Sequence, residues 1–162
     1  MATAVLTWLV AIPVLGAVTG LRTMTAMAVL CWFAYSGNLD VQDTWAFWTG
    51  KLVTPIVFTL LALGELYADK MPWVPNRIDP GPLFARVCFG GLIGAIIGAV
   101  LGRSSVEGLI LGVIGAIIGA FTGFVVRREV VQRLRCNDWP VAAAEDLVAI
   151  GCAIWAMGII TN

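Results

Sequence analysis

Four carboxylates lie where a lipid bilayer would normally exclude them. Glu65 and Asp69 sit near the end of one long apolar stretch, and Glu145 and Asp146 sit near the start of another. A spacing of four puts Glu65 and Asp69 on one helix face. Acids inside apolar helices are costly to hold and mark either a functional site or a paired structural one. A cluster of carboxylates with nearby carbonyls binds a hard cation such as calcium, magnesium or manganese. Close carboxylates also raise one another's proton affinity, so they can carry protons. Two other readings compete. The acids can pair with Lys70, Arg77, Arg86, Arg127 or Arg128 and pin helix ends, or they can face a polar or lipid headgroup substrate.

Two further features bear on the same chemistry. Arg22 is the lone basic residue between two apolar runs. Buried, it needs an acid or carbonyls; at the interface it suits a lipid phosphate. Residues 71–86 form a loop stiffened by Pro72, Pro75, Pro80 and Pro82, with Arg77 and Asp79 at its centre. Each proline fixes its own φ and restricts its predecessor. Such a loop can cap an entrance or serve as a tight connector held by an Arg77–Asp79 contact. We therefore expect Glu65, Asp69, Glu145 and Asp146 to bind a cation or proton. Arg22, Arg77, Asp79 and Arg127 are expected to gate or brace the path.

Composition narrows the alternatives. The chain has 162 residues, 60% hydrophobic and 12% charged. Soluble domains are nearer about 45–50% apolar and about 25% charged, and a domain this small cannot hide so much apolar surface. Ten basic and ten acidic residues cancel, which speaks against a nucleic-acid partner. There is no histidine, so the commonest general base and metal ligand is missing. No nucleophile motif or nucleotide loop replaces it; we expect neither an enzyme nor a cofactor. Cys31, Cys88, Cys136 and Cys152 form no Cys-x-x-Cys and read as small buried apolar residues, although spacing alone leaves a disulfide open.

The elements that must position these groups are membrane helices, each needing about 20 apolar residues. Residues 1–21, 45–70, 83–102, 108–126 and 139–160 read as five spans in an all-α, polytopic fold. The first has no basic leader and reads as a mature helix rather than a signal peptide. Residues 23–37 are ambiguous: a short sixth span, or a re-entrant or interfacial helix. Trp45, Trp48, Trp73 and Trp139 fall near predicted ends, where tryptophan prefers the headgroup level. Lys70, Arg77, Arg86, Arg127, Arg128, Arg133 and Arg135 gather on one side, which the positive-inside rule makes cytoplasmic. Arg103, Asp40, Asp43 and Lys51 belong to the other side.

Glycines recur every four residues at Gly90, Gly94, Gly98 and Gly102, and nearly so from Gly108 to Gly123. Such glycine zippers let helix backbones approach closely. An internal echo accompanies them. Gly-Ala-Val-Thr-Gly (16–20) and Gly-Ala-Phe-Thr-Gly (119–123) each close an apolar helix ahead of an arginine. Each then precedes a short segment and an acidic helix. If residues 23–37 do not cross, the two halves, 1–70 and 106–162 around the central span 83–102, form an inverted repeat, as in many secondary transporters. If they do cross, the first and fourth spans run parallel and the inversion fails. The echo favours the non-crossing arrangement.

Thr-Gly-Leu-Arg (19–22), Glu-Leu-x-Ala-Asp-Lys-x-Pro (65–72) and Glu-Asp-Leu-x-Ala (145–149) resemble the motifs of a family of small bacterial membrane proteins. That family is described only as a domain of unknown function. The resemblance covers nearly the whole chain and implies a helical membrane fold. A weaker similarity is to calcium/manganese–proton exchangers, which carry two Glu-x-Gly-Asp-Lys/Arg-Thr/Ser motifs in inverted halves. Here Glu65 and Asp69 are one residue too far apart, Met71 stands at the hydroxyl position, and Glu145 and Asp146 are adjacent. The sequence expectation is thus a small transporter or channel-like protein in a bacterial inner membrane. Its partners would be membrane lipids and a cation or proton, with a homodimer as the assembly. The alternative is a lipid-binding or membrane assembly protein without transport activity.

Overall fold

A computed structural model describes residues 7–68, 78–134 and 138–161. Among the described residues there are six helices and no strand. We number them α1 (Trp8–Leu21, opening in a π-turn), α2 (Thr23–Tyr35), α3 (Val53–Ala68), α4 (Pro80–Val100), α5 (Ser105–Leu134) and α6 (Asp138–Thr161). A 3₁₀ turn, Phe47–Gly50, precedes α3. Trp45 and Trp48 belong to this connection rather than opening the helix, which starts at Val53. Three stretches, Pro80–Val100, Ser105–Arg133 and Pro140–Thr161, are long and apolar enough to cross a membrane. Helices α1, α2 and α3 are apolar but shorter.

The glycines set the packing. A side chain on Gly94 or Gly112 of the α4–α5 hairpin would run into the facing backbone carbonyl of Gly108 or Gly90. These contacts advance along α4 as they retreat along α5, so the pair is antiparallel. The turn between them needs a glycine at Gly102, whose φ is +63°. Helix α1 meets α5 as closely, sharing Gly112 and Ala116 with α4: Gly16 lies against Gly112 and Gly115, and Gly20 against Ala116, Gly119 and Ala120. Here the numbers rise together, so α1 and α5 run parallel.

This register overturns the inverted repeat. The two Gly-Ala-x-Thr-Gly segments lie on parallel helices, and only the first is followed by a break. Helix α5 continues unbroken through residues 124–134. The echo has a simpler cause: the two segments help form a shared seam, and each supplies the small residues the other needs. Helices α2 and α3 are antiparallel, since Thr23 meets Glu65 while Trp32 donates to the Thr59 hydroxyl at 3.0 Å. Helices α3 and α4 are antiparallel in turn, with Phe58 edge-on to Phe89 and Glu65 beside Arg86. Helices α1 to α5 therefore alternate in direction.

Many large apolar side chains lie outside, while alanines share the interior with Ile12, Leu15, Met27 and Ile96. Leu60, Leu63, Ile118, Ile154 and Trp155 are exposed, whereas Ala116, Ala120, Ala149, Ala153 and Ala156 are buried. Water would penalise that surface and a bilayer would not; the fold is that of a helical membrane protein. Cys31 is buried, Cys152 is half-buried, and Cys88 is exposed, against the expectation that all cysteines are interior. All three are free thiols, and Cys136 lies outside the described residues.

Candidate functional site

Arg22 interrupts the chain between α1 and α2. Its backbone is extended, with φ −141° and ψ 107°. A helix end leaves donors and acceptors without intrahelical partners, and inside a bilayer no water can satisfy them. Side chains from other helices do so here. Glu65 on α3 accepts both amides that begin α2: Thr23 N–H to Oε1 and Met24 N–H to Oε2, each at 2.9 Å. Arg86 on α4 donates to the carbonyl of Gly20, near the end of α1, at 2.9 Å. Its other terminal nitrogen lies 3.7 Å from Glu65 Oε1. Thr19 returns its hydroxyl to the Leu15 carbonyl at 2.8 Å, so it adds no competing donor.

The Arg22 side chain turns away to α6, where its Nε lies 2.6 Å from Asp146 Oδ1. Glu145, one residue earlier, faces Arg127 of α5 at 3.8 Å. Three arginines and three acids thus balance around one joint. Arg22 is 2% exposed and Arg86 7%, so these charges are removed from solvent and depend on one another.

Helix lengths give the scale. At 1.5 Å per residue, Arg22 is about 21 Å from Trp8, and Arg86 about 21 Å from Val100. By the same measure Glu65 is about 18 Å from Val53, and Asp146 about 22 Å from Thr161. Each of these lengths is shorter than the thickness of a hydrocarbon core, about 30 Å. Arg103 stacks over the Trp8 ring at 5.5 Å and marks the Trp8 end.

The predicted site residues divide as follows. Glu65, Glu145 and Asp146 all come to this region, but an arginine stands against each. Among the described residues, no group of three or more acidic or cysteine side chains could hold a metal ion. Arg22 and Arg127, expected to gate or brace, stand against Asp146 and Glu145 respectively. Asp79 stands at the N-cap of α4, where its carbonyl accepts the Leu83 amide at 2.9 Å. Asp69 and Arg77 lie outside the described residues. Arg86 and the amides of Thr23 and Met24 were not among the expected site groups. From sequence Arg86 was one of several basic residues that could pair with the acids; its contact with the Gly20 carbonyl was not foreseen.

The sequence profile of a family described as a domain of unknown function (DUF4126) matches residues 9–159. The chain belongs to that family. No curated protein and no solved structure matches it. The match spans every helix that contributes to the joint, so Arg22, Glu65, Arg86, Arg127, Glu145 and Asp146 all lie within the family's domain.

Proposed function

We propose that this DUF4126 chain is a small transporter or channel-like protein of a bacterial inner membrane, handling a proton or cation at the α1–α2 joint. The observation that carries the reading is the broken helix, with a carboxylate from another helix on its exposed amides. Interrupted helices at membrane depth are where secondary transporters build their sites. The alternating directions support six passes, with α2 as the short one. The ends near Pro80 and Leu134 then share the cytoplasmic side.

A proton fits the arrangement better than a metal ion, because Glu65, Glu145 and Asp146 each already have an arginine against them. Ionised Glu65 can accept two amides and offset Arg86. A proton on Glu65 removes that charge and part of its acceptor capacity. The start of α2 and the Arg86 guanidinium then lose their anion together, and the joint is free to open. Release of the proton reseals it.

The test is flux into proteoliposomes, across monovalent and divalent cations, with and without a pH gradient. Wild type should carry proton or cation flux, and folded Glu65→Gln should carry none. Glu129→Gln, which changes an exposed pair with Arg133, should behave as wild type. No flux of any cation or proton through folded wild-type protein would overturn the proposal.

A further inference from the structure

Helices α5 and α6 face each other across a gap near Arg127. Between them lies an open groove of about 690 Å³, floored in part by Leu21. Its size is that of a small-molecule cleft, about 300–1,000 Å³. The walls are almost wholly apolar, including Val126 and Val130 from α5 and Val141, Ala144 and Val148 from α6. The charged residues in the lining are Arg127 and Glu145. They are paired with each other and half-buried.

The position of that pair is informative. The apolar run of α5 ends at Val126, and the charged segment begins at Arg127. The pair therefore sits where hydrocarbon gives way to headgroups, and the groove continues inward from it past Thr122 and Val148. Both walls belong to stretches long enough to span a membrane. An amphiphile already in the bilayer reaches such a groove sideways, chain inward and head at the pair.

We propose that this groove binds a glycerophospholipid with a zwitterionic head, phosphate toward Arg127 and ammonium toward Glu145. Charge complementarity selects the class. An anionic head would meet Glu145 at the same spot, and a cationic one would meet Arg127. Only a head carrying both signs offsets both side chains in a low-dielectric groove. The groove lies beside the α1–α2 joint, but the proposal does not depend on transport.

The experiment is native mass spectrometry of the detergent-solubilised full chain, titrated with phosphatidylethanolamine or phosphatidylglycerol bearing the same acyl chains. Wild type should retain phosphatidylethanolamine about tenfold more tightly, about 1.4 kcal/mol. Glu145→Gln removes the anion that faces Arg127 at 3.8 Å and should reverse the preference. The exchanged pair Arg127→Glu/Glu145→Arg keeps the balance and should keep the original preference, which guards against a folding defect in the single variant. Ala144→Trp fills the groove and should abolish the preference, whereas Leu147→Trp, at a position 73% exposed, should not. Equal retention of both lipids by wild type overturns the proposal. So does a preference that survives Ala144→Trp, or a dimer that this substitution dissociates with no change in lipid, since the occupant would then be a second copy of the chain.

Discussion

Removing the Glu65 carboxylate should release α2. In Glu65→Ala the amides of Thr23 and Met24 lose their acceptors and Arg86 loses its facing anion. A hydrogen bond to a charged group contributes about 1.5–3 kcal/mol. Breaking a buried ion pair from one side costs about 3–5 kcal/mol. These terms share one carboxylate and do not add, so the expected loss is about 4 kcal/mol. Glu65→Gln keeps one acceptor oxygen but loses the charge, and should cost about half as much. Two cysteines provide the assay. Cys31, on α2, is buried, and Cys88, on α4, is exposed. The maleimide labelling rate of Cys31 relative to Cys88 reports opening around α2 within one molecule. A 4 kcal/mol loss corresponds to a rise approaching about a thousandfold, and reversible SDS unfolding gives the global stability alongside. Cys31 protection unchanged in Glu65→Ala, with stability within about 1 kcal/mol of wild type, would refute the assignment of Glu65 as the cap of α2.

Other substitutions separate the remaining contacts. Gly112→Ala and Gly119→Ala place a methyl against the carbonyls of Gly90 and Ala17, and each should cost about 1–3 kcal/mol in the same unfolding measurement. Gly64→Ala and Gly151→Ala meet nothing within 4 Å and should be neutral or stabilising by up to about 1 kcal/mol. Arg22→Met and Asp146→Leu should each destabilise by about 3–5 kcal/mol, and the double variant by clearly less than their sum, because it leaves no lone buried charge. Arg133→Gln breaks only the exposed pair with Glu129 and should change stability by less than about 0.5 kcal/mol.

Much of the helical framework was legible from hydropathy, because a run of about 20 apolar residues has few alternatives to a membrane helix. Predicted spans 83–102 and 139–160 closely match Pro80–Val100 and Asp138–Thr161. The break at Arg22 was visible as one arginine between two apolar runs. Its chemistry was not. The partner of the Thr23 amide lies 42 residues away, and no local pattern encodes which acid will reach it. The inverted repeat failed for a related reason. Glycines spaced by four state that a backbone approaches closely, but not from which direction. The same spacing serves an antiparallel contact in α4–α5 and a parallel one in α1–α5. Glu65, Glu145 and Asp146 were identifiable as embedded acids; that arginines stand against each of them depends on helix order in space.

The parallel seam between α1 and α5 has a consequence for synthesis. Helix α1 leaves the ribosome about 100 residues before the glycines it will pack against, which at translation rates of about 5–20 residues per second is a delay of about 5–20 s. Arg22 waits longer still, since Asp146 is made about 120 residues later. For that interval the nascent chain holds a basic side chain at membrane depth without the acid that will neutralise it. The first segment therefore cannot settle on insertion. It must stay near the translocon's aqueous channel, or snorkel toward a headgroup, until the last helix arrives and closes the bundle around it.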